Sequence, residues 1–307
     1  MRYDHTQIHA APVAEGARFE IGSATAFAVR QENKDIALRI RRLEHPVRDW
    51  AGQVPFLRGI ARLLGCVFGW ADGAFESGEL EPQRIVKGSP FEQRVAELFR
   101  VKPTSLVALG SAILIVLMLG GFLWAIPWAL GRFALSELPL WQNNALCCLV
   151  RLVGACVCAA LIPRLRVLNR FCMYRGAINQ VINAYEALGG AMNRDNAEEA
   201  SPYTGRSDMA FAMLVLLAAI LVFSWLRTYT LAAQLIARGL IILAIAAILG
   251  ELVHWLQELL PDHPLYPLHA PMRLLERLVV LRPHRQMIEV ALYAFNAARE
   301  NDEPQEE

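Results

Sequence analysis

The apolar runs in this chain have the length of a membrane crossing rather than of a globular core element. Four stretches, Ser105–Ile126, Ala145–Ile162, Met209–Leu226 and Leu231–Leu249, are almost uniformly apolar. Each is about 18 residues or longer, enough at about 1.5 Å of rise per residue to cross a hydrocarbon core of roughly 30 Å. The first and third carry no charge, and the second and fourth carry one arginine each, Arg151 and Arg238. Soluble helices are seldom apolar all round over such lengths. The pattern predicts an all-α membrane protein with four transmembrane helices.

Outside these runs the period changes. Ile36, Leu38 and Ile40 alternate with Ala37, Arg39 and Arg41, the period of a strand. With Ala24–Val29 and the polar turn Glu32-Asn33-Lys34-Asp35 this predicts a β-hairpin. Phe56, Leu57, Ile60, Leu63 and Leu64 form one stripe of an amphipathic helix over Val54–Trp70, suited to a membrane surface or to the ends of spans. Glu76–Gly88 reads as a polar linker, Phe91–Phe99 as a short helix, and Glu300–Glu307 as an acidic, disordered tail. The predicted organisation is a cytoplasmic N-terminal region (1–104), two spans (105–163), a cytoplasmic helical segment with its loop (164–208), two further spans (209–256) and a C-terminal region (257–307). The polar regions together form a small cytoplasmic cap containing the hairpin and the amphipathic helices, the latter including Met272–Ala298.

Composition agrees with a membrane protein. Hydrophobic residues make up 55% of the chain and the mean hydropathy is +0.32, which is rich in apolar residues for a globular domain. A net charge of +1 and the lack of a basic–aromatic stripe argue against a nucleic-acid partner. The first hundred residues are polar and charged, so no secretory signal peptide is expected. Arginines crowd the segment between the second and third spans (Arg164, Arg166, Arg170, Arg175, Arg194, Arg206) and the two flanks, whereas the other two loops hold only Arg132 and Arg227. The positive-inside rule then puts both termini and the middle segment in the cytoplasm.

Candidate chemistry is concentrated in that middle segment. Arg164–Leu188 is expected to continue the second span as one helix. Ile178, Val181, Ile182, Tyr185 and Leu188 form its apolar stripe; Arg175, Asn179, Asn183 and Glu186 share the opposite face, most simply a solvated one. Glu251 and His254, three residues apart at the inner end of the fourth span, are fallback metal ligands together with Glu186 and Asp208; the plainer reading has Glu251 capping a helix or pairing with an arginine. Arg151 and Arg238 lie about 10 Å below the outer end of their spans, where a charge pairs, lines a cavity or snorkels to headgroups, the last being the expectation. The six cysteines lack zinc-site spacing and read as small packing residues. No nucleophile elbow or phosphate-binding glycine loop is present in the sequence.

Arg175-Gly176-Ala177-Ile178-Asn179-Gln180-Val181-Ile182-Asn183-Ala184-Tyr185-Glu186 resembles the signature segment of the YqhQ-like family, domain of unknown function 1385. So do Glu15-Gly16, Pro55-Phe56-Leu57-Arg58-Gly59, Leu221-Val222-Phe223-Ser224, Gly250-Glu251-Leu252, Leu275-Glu276-Arg277-Leu278 and Ile288-Glu289-Val290-Ala291, in order along the chain. The resemblance implies a bacterial inner-membrane protein from a family described as metal-dependent membrane enzymes of undefined activity. In the family's segment two histidines and a glutamate stand where this chain has Arg175, Asn179 and Ile178, and its lysine is Gln180. The family's histidine and cysteine before the third span correspond to Thr204 and Ser207, while its arginine is kept as Arg206. Arginine cannot ligate a cation, isoleucine offers no lone pair and asparagine is a weak neutral ligand.

The resemblance therefore implies a family member whose ligands are replaced. The leading expectation is a non-catalytic membrane protein, a scaffold or regulator of other membrane proteins. It needs no cofactor, and its partners are membrane lipids and other membrane proteins or further copies of itself. Glu15, Arg175, Asn179, Asn183, Glu186 and Arg206 are its candidate functional patch, with a Glu186–Arg206 ion pair holding the cap to the bundle. A metal-dependent enzyme with a rebuilt divalent-metal site is the alternative, and small-solute transport a weaker one.

Overall fold

The computed structural model describes residues 8–13, 15–31, 33–42, 54–66, 103–188, 193–205, 207–225, 231–257 and 270–302. The predicted linker Glu76–Gly88, the helix Phe91–Phe99, the end of the helix expected to reach Trp70, and Arg206 lie outside these residues. The chain opens on four strands, β1 (Ile8–Val13), β2 (Gly16–Ile21), β3 (Ala24–Arg30) and β4 (Ile36–Arg42), in an antiparallel meander of order β1-β2-β3-β4. The predicted hairpin is β3–β4, with Ala28 opposite Leu38. It is half of a sheet, so the protein is mostly helical rather than all-α. β1 and β2 are additional to the expected hairpin, and in β1 Pro12 and two alanines obscure the alternation. Pro12 is tolerated because β1 lies at the sheet edge.

One face of the sheet meets two helices, α4 (Arg166–Leu188) and α9 (Arg285–Glu300). Ala17, Phe19 and Ile21 of β2 and Ala26 and Ala28 of β3 pack against Ile178 and Val181 of α4 and Met287, Ala291 and Phe295 of α9. Phe295 is central: the Phe19 ring meets it edge-on at 5.4 Å and the Tyr185 ring at 5.1 Å. Such aromatic pairs add about 0.5–1.5 kcal/mol each beyond the area they bury. The last described residues fasten this cap. Asp302 accepts from the Ser23 N–H at 3.1 Å, beneath the β2–β3 turn, where Gly22 holds φ +53°. The acidic tail thus begins later than expected, since Glu300 still closes α9.

Among the described residues three helices are long and apolar enough to cross a membrane, over Gly110–Ala134, Leu140–Arg164 and Ile236–Leu256. The first belongs to a continuous helix α2 from Pro103 to Ala134, with π-helical turns at Gly121–Ala125 and Leu130–Ala134. Pro127, between those turns, has no N–H to give the Leu123 carbonyl four residues back. That carbonyl accepts from Arg151 Nε at 3.3 Å, and Arg151 also reaches Ser224 Oγ at 3.4 Å. Arg151 sits on α3 (Leu140–Leu161), which lies against α2 where Gly154 meets Phe122. Arg238, on α7 (Leu231–Gln257), stacks over the Phe223 ring of α6 (Asp208–Phe223) at 5.5 Å. Both arginines contact neighbouring helices, and Arg238 remains exposed.

Two other expectations are corrected. The second span does not run on through Leu188: Ile162-Pro163-Arg164 forms a 3-10 turn, Leu165 is extended (ψ 140°) and α4 starts afresh. The proline removes a helical donor and clashes with the preceding turn. The predicted third span is α6, 16 residues or about 24 Å, shorter than the other three apolar helices.

The amphipathic helix is present as α1 (57–66) and docks on the ends of α6 and α7. The Phe56 N–H donates to Glu251 Oε1 at 2.6 Å, so the carboxylate caps the helix start, and Arg58 Nε lies 2.8 Å from the same oxygen. Arg62 Nε is 2.8 Å from Asp208 Oδ1, with its guanidinium 5.0 Å above the Phe211 ring. Gly59 and Gly250 touch backbone to backbone; a Cβ on either would overlap the other helix.

Candidate functional site

Asn179, Gln180 and Asn183 lie on the face of α4 that meets segment 198–205, which begins at the end of the short helix α5 (Arg194–Glu199). This segment has no strand or helix partner for its carbonyls, so the amide side chains take them. Asn179 Nδ2 donates to Pro202 O at 2.9 Å, Gln180 Nε2 to Ala200 O at 2.9 Å, and Asn183 Nδ2 to Ser201 O at 2.6 Å. The face expected to be solvated is largely internal: Arg175 and Asn179 are 7% and 2% exposed. Arg175 points the other way and donates to Ala10 O at 2.7 Å, tying α4 to β1.

At the end of this ladder lies Glu276, on α8 (Ala270–Val279), 0% exposed. Its carboxylate accepts from Asn179 Nδ2 at 2.8 Å, Thr204 Oγ1 at 3.3 Å and the Gly205 N–H at 2.7 Å. Gly205 holds φ +71° with Arg273 beneath it, a conformation and a space that favour glycine. A buried carboxylate needs such donors to offset its lost hydration. Glu276 was legible as an anomaly: it falls four residues after Met272 on the buried face of an amphipathic helix.

A cleft of about 600 Å³ opens beside the ladder, lined by Asn183, Glu186, Tyr203, Thr204, Arg273 and Arg277 among others. The Arg277 guanidinium sits 5.7 Å from the Tyr203 ring centre. Glu186 is half-buried at the cleft wall. Its expected partner Arg206 lies outside the described residues. Glu15, the remaining member of the predicted patch, stands apart at the β1–β2 turn with φ +58°, where its two oxygens meet Nε and Nη2 of Arg170 at 2.5 Å each.

The residues that stand in for the ligands implied by the resemblance are dispersed. Asn179 and Thr204 converge on Glu276; Ile178 is in the cap core; Ser207 Oγ caps α6 by accepting from the Ala210 N–H at 3.2 Å. Of the fallback set, Glu251 and Asp208 serve α1, Glu186 lines the cleft, and His254 is half-buried near the end of α7. Among the described residues no three His, Cys, Asp or Glu side chains gather. On α4, burial pushes the Cys172 thiol up to about 12, and burial with Glu15 nearby pushes the Tyr174 phenol well above its usual value.

No curated protein and no solved structure matches the chain. The family model described as protein of unknown function DUF1385 matches residues 54–301, from the docking helix α1 to the end of α9, and so covers the amide ladder and Glu276. The chain belongs to the DUF1385 family.

Proposed function

We propose that this protein is a non-catalytic, four-span protein of the bacterial cytoplasmic membrane that uses its cap as a scaffold or regulator of other membrane proteins. The observation that carries this reading is the direction of the polar groups on α4. Asn179, Gln180, Asn183 and Arg175 donate to carbonyls and one carboxylate of the cap itself, so they hold the fold rather than wait for a substrate. The donor chemistry also does not suit a divalent cation. Glu276 already accepts three hydrogen bonds, and its neighbours are an amide, a hydroxyl and a backbone N–H. The face left for recognition is the 600 Å³ cleft, whose Arg273, Arg277 and Glu186 suit a polar segment of a partner chain or of a second copy.

Parity supports the fourth span. The sheet, α4 and α9 share one core and so lie on one side of any membrane. Among the described residues two long apolar helices separate β4 from α4, but only α7 of the long ones separates α4 from α9. Returning to the same side requires a second crossing there, and α6, with the residues that follow it, is the apolar candidate. The arginine-rich middle segment supports a cytoplasmic location for that side.

Elemental analysis of the purified protein tests the function. The expected result is no stoichiometric transition metal; one zinc or manganese per chain would overturn the proposal in favour of a metal-dependent enzyme. A cysteine at position 196 in a cysteine-free background should label only after the inner face is exposed; labelling in intact cells would reject the orientation.

A further inference from the structure

A second cleft, of about 380 Å³, lies on the other side of α4, at the first turn of α9. Its lining is Arg30, Arg170, Tyr174, His284, Arg285, Gln286 and Met287: three arginines, one histidine and no acidic side chain. It belongs neither to the amide ladder nor to the larger cleft, which are built on Asn179, Asn183 and Glu276.

Four features point to the same ligand chemistry. First, Tyr174 is 0% exposed and its hydroxyl proton has no acceptor among the described residues. Arg170 hydrogen-bonds to that hydroxyl, but a guanidinium only donates, so the phenolic proton still lacks an acceptor. Second, the Arg30 Nε is buried and likewise without a partner. Buried polar groups are nearly always satisfied, and each one left unmade costs roughly 1–3 kcal/mol. Both orphans here are donors, so what would satisfy them is an acceptor. Third, α9 is a 16-residue helix whose N-cap, His284, makes no side-chain capping bond, and its first residues line the cleft. The Met287 N–H already donates to His284 O at 2.9 Å, but the N–H groups of Arg285 and Gln286 and the positive end of the helix dipole favour an anion. Fourth, the arginines are held in position from outside the cleft. Glu15 grips Arg170 with both oxygens, and Glu289 takes Arg30 at 3.1 Å. Asp195 and Glu198 hold Arg285 at 2.7 Å each, from side chains 78% and 44% exposed, where solvent screens them. These carboxylates fix the guanidinium groups without entering the cleft.

We propose that this cleft binds a phosphate group, taken by Arg30, Arg170, Arg285, the Tyr174 hydroxyl and the N-terminus of α9. A tetrahedral oxyanion offers enough acceptors to meet both of these donors, the remaining arginine N–H groups and helix N–H groups at once. The phosphate has two possible sources. Arg170 follows closely after Arg164, the end of the second apolar helix, so a lipid headgroup is within reach of the cleft; a free phosphate compound could enter from solvent.

The test uses the full-length protein. Calorimetric titration with inorganic phosphate in detergent is one arm. The other measures binding of nanodisc-embedded protein to phosphatidic acid, against nanodiscs of phosphatidylcholine alone, by lipid retention on purification. Tyr174→Phe removes one oxygen and no volume, and Arg30→Gln removes one charge. Saturable binding of inorganic phosphate, weakened about tenfold by either change as expected for one lost hydrogen bond to a charged group, assigns a free phosphate. Selective retention of phosphatidic acid, lost in both variants, assigns a headgroup. If neither probe binds, or if both variants bind like the parent, the proposal is wrong.

Discussion

Arg151 donates through Nε to the carbonyl of Leu123, the carbonyl whose usual helical donor is missing because residue 127 is proline. A proline-interrupted helix and a charge on its neighbour, each costly in an apolar setting, offset one another. Arg151→Met should destabilise the protein in detergent by about 0.6–1.7 kcal/mol, the range of hydrogen bonds between membrane helices. Pro127→Ala restores a backbone donor to Leu123. In that background Arg151→Met should cost measurably less, and equal costs in the two backgrounds would show the two residues to be independent.

Glu276 and Asn179 should behave as one unit. Glu276→Ala leaves one N–H of the Asn179 amide and the Gly205 N–H buried without an acceptor, at a cost of roughly 2–3 kcal/mol. Asn179→Ala should cost less, and the double variant should fall well short of the sum, as neighbours in one network do. Thermal melting of the four proteins measures this.

Asn179 and Thr204 both reach Glu276, so histidines at these two positions would join its carboxylate as a three-ligand set. The Asn179→His, Thr204→His variant is expected to purify with zinc where the parent does not. A metal-free double variant that folds normally would show that these positions cannot form a metal site.

Gly250 should tolerate no side chain, because α1 touches it backbone to backbone. Gly250→Ala is expected to cost about 1–3 kcal/mol through overpacking, and to expose segment 54–66 to protease. Gly239→Ala on the same helix, where an added Cβ meets nothing, should be neutral or stabilising. Protease cutting and melting of the two variants are the comparison.

Burial raises Cys172 from 9.0 to about 12, and raises Tyr174 in the same direction. The folded protein keeps the thiol protonated where the unfolded chain would ionise it. This contribution to stability is complete below pH 9 and is lost as the pH climbs towards 12. Cys172→Ala should flatten that alkaline decline. At neutral pH Cys172 should react with maleimide only on unfolding, followed by mass spectrometry.

Long apolar runs and the strand period of Ile36–Arg41 were legible in the sequence because they are local patterns. The break after the second span was also written there, in Pro163, but the continuous polar stripe of Arg175, Asn179 and Asn183 concealed it. That stripe misled in a second way. Periodicity reports which residues share a face, not what the face meets. Its amides turn inward only because segment 198–205, distant in sequence, brings carbonyls without partners. The fallback acids Glu251 and Asp208 were visible, yet their arginines lie on α1, nearly two hundred residues from Glu251. Glu276 could have been found by asking why an acid interrupts the apolar face of α8.

The cap draws its sheet from the beginning of the chain and its central helix, with Phe295, from the end. During synthesis β2 and β3 emerge early, but the helix that covers them is made last, after every apolar helix has left the ribosome. Phe19 and Ala28 remain uncovered until Arg285–Glu300 arrives on their side of the membrane, and Asp302 then fastens the turn at Gly22. Closure of the cap is therefore an inspection of the whole insertion. With the four spans proposed above, a chain with one helix missing or inverted would deliver α9 to the wrong compartment and leave an open, aggregation-prone apolar sheet.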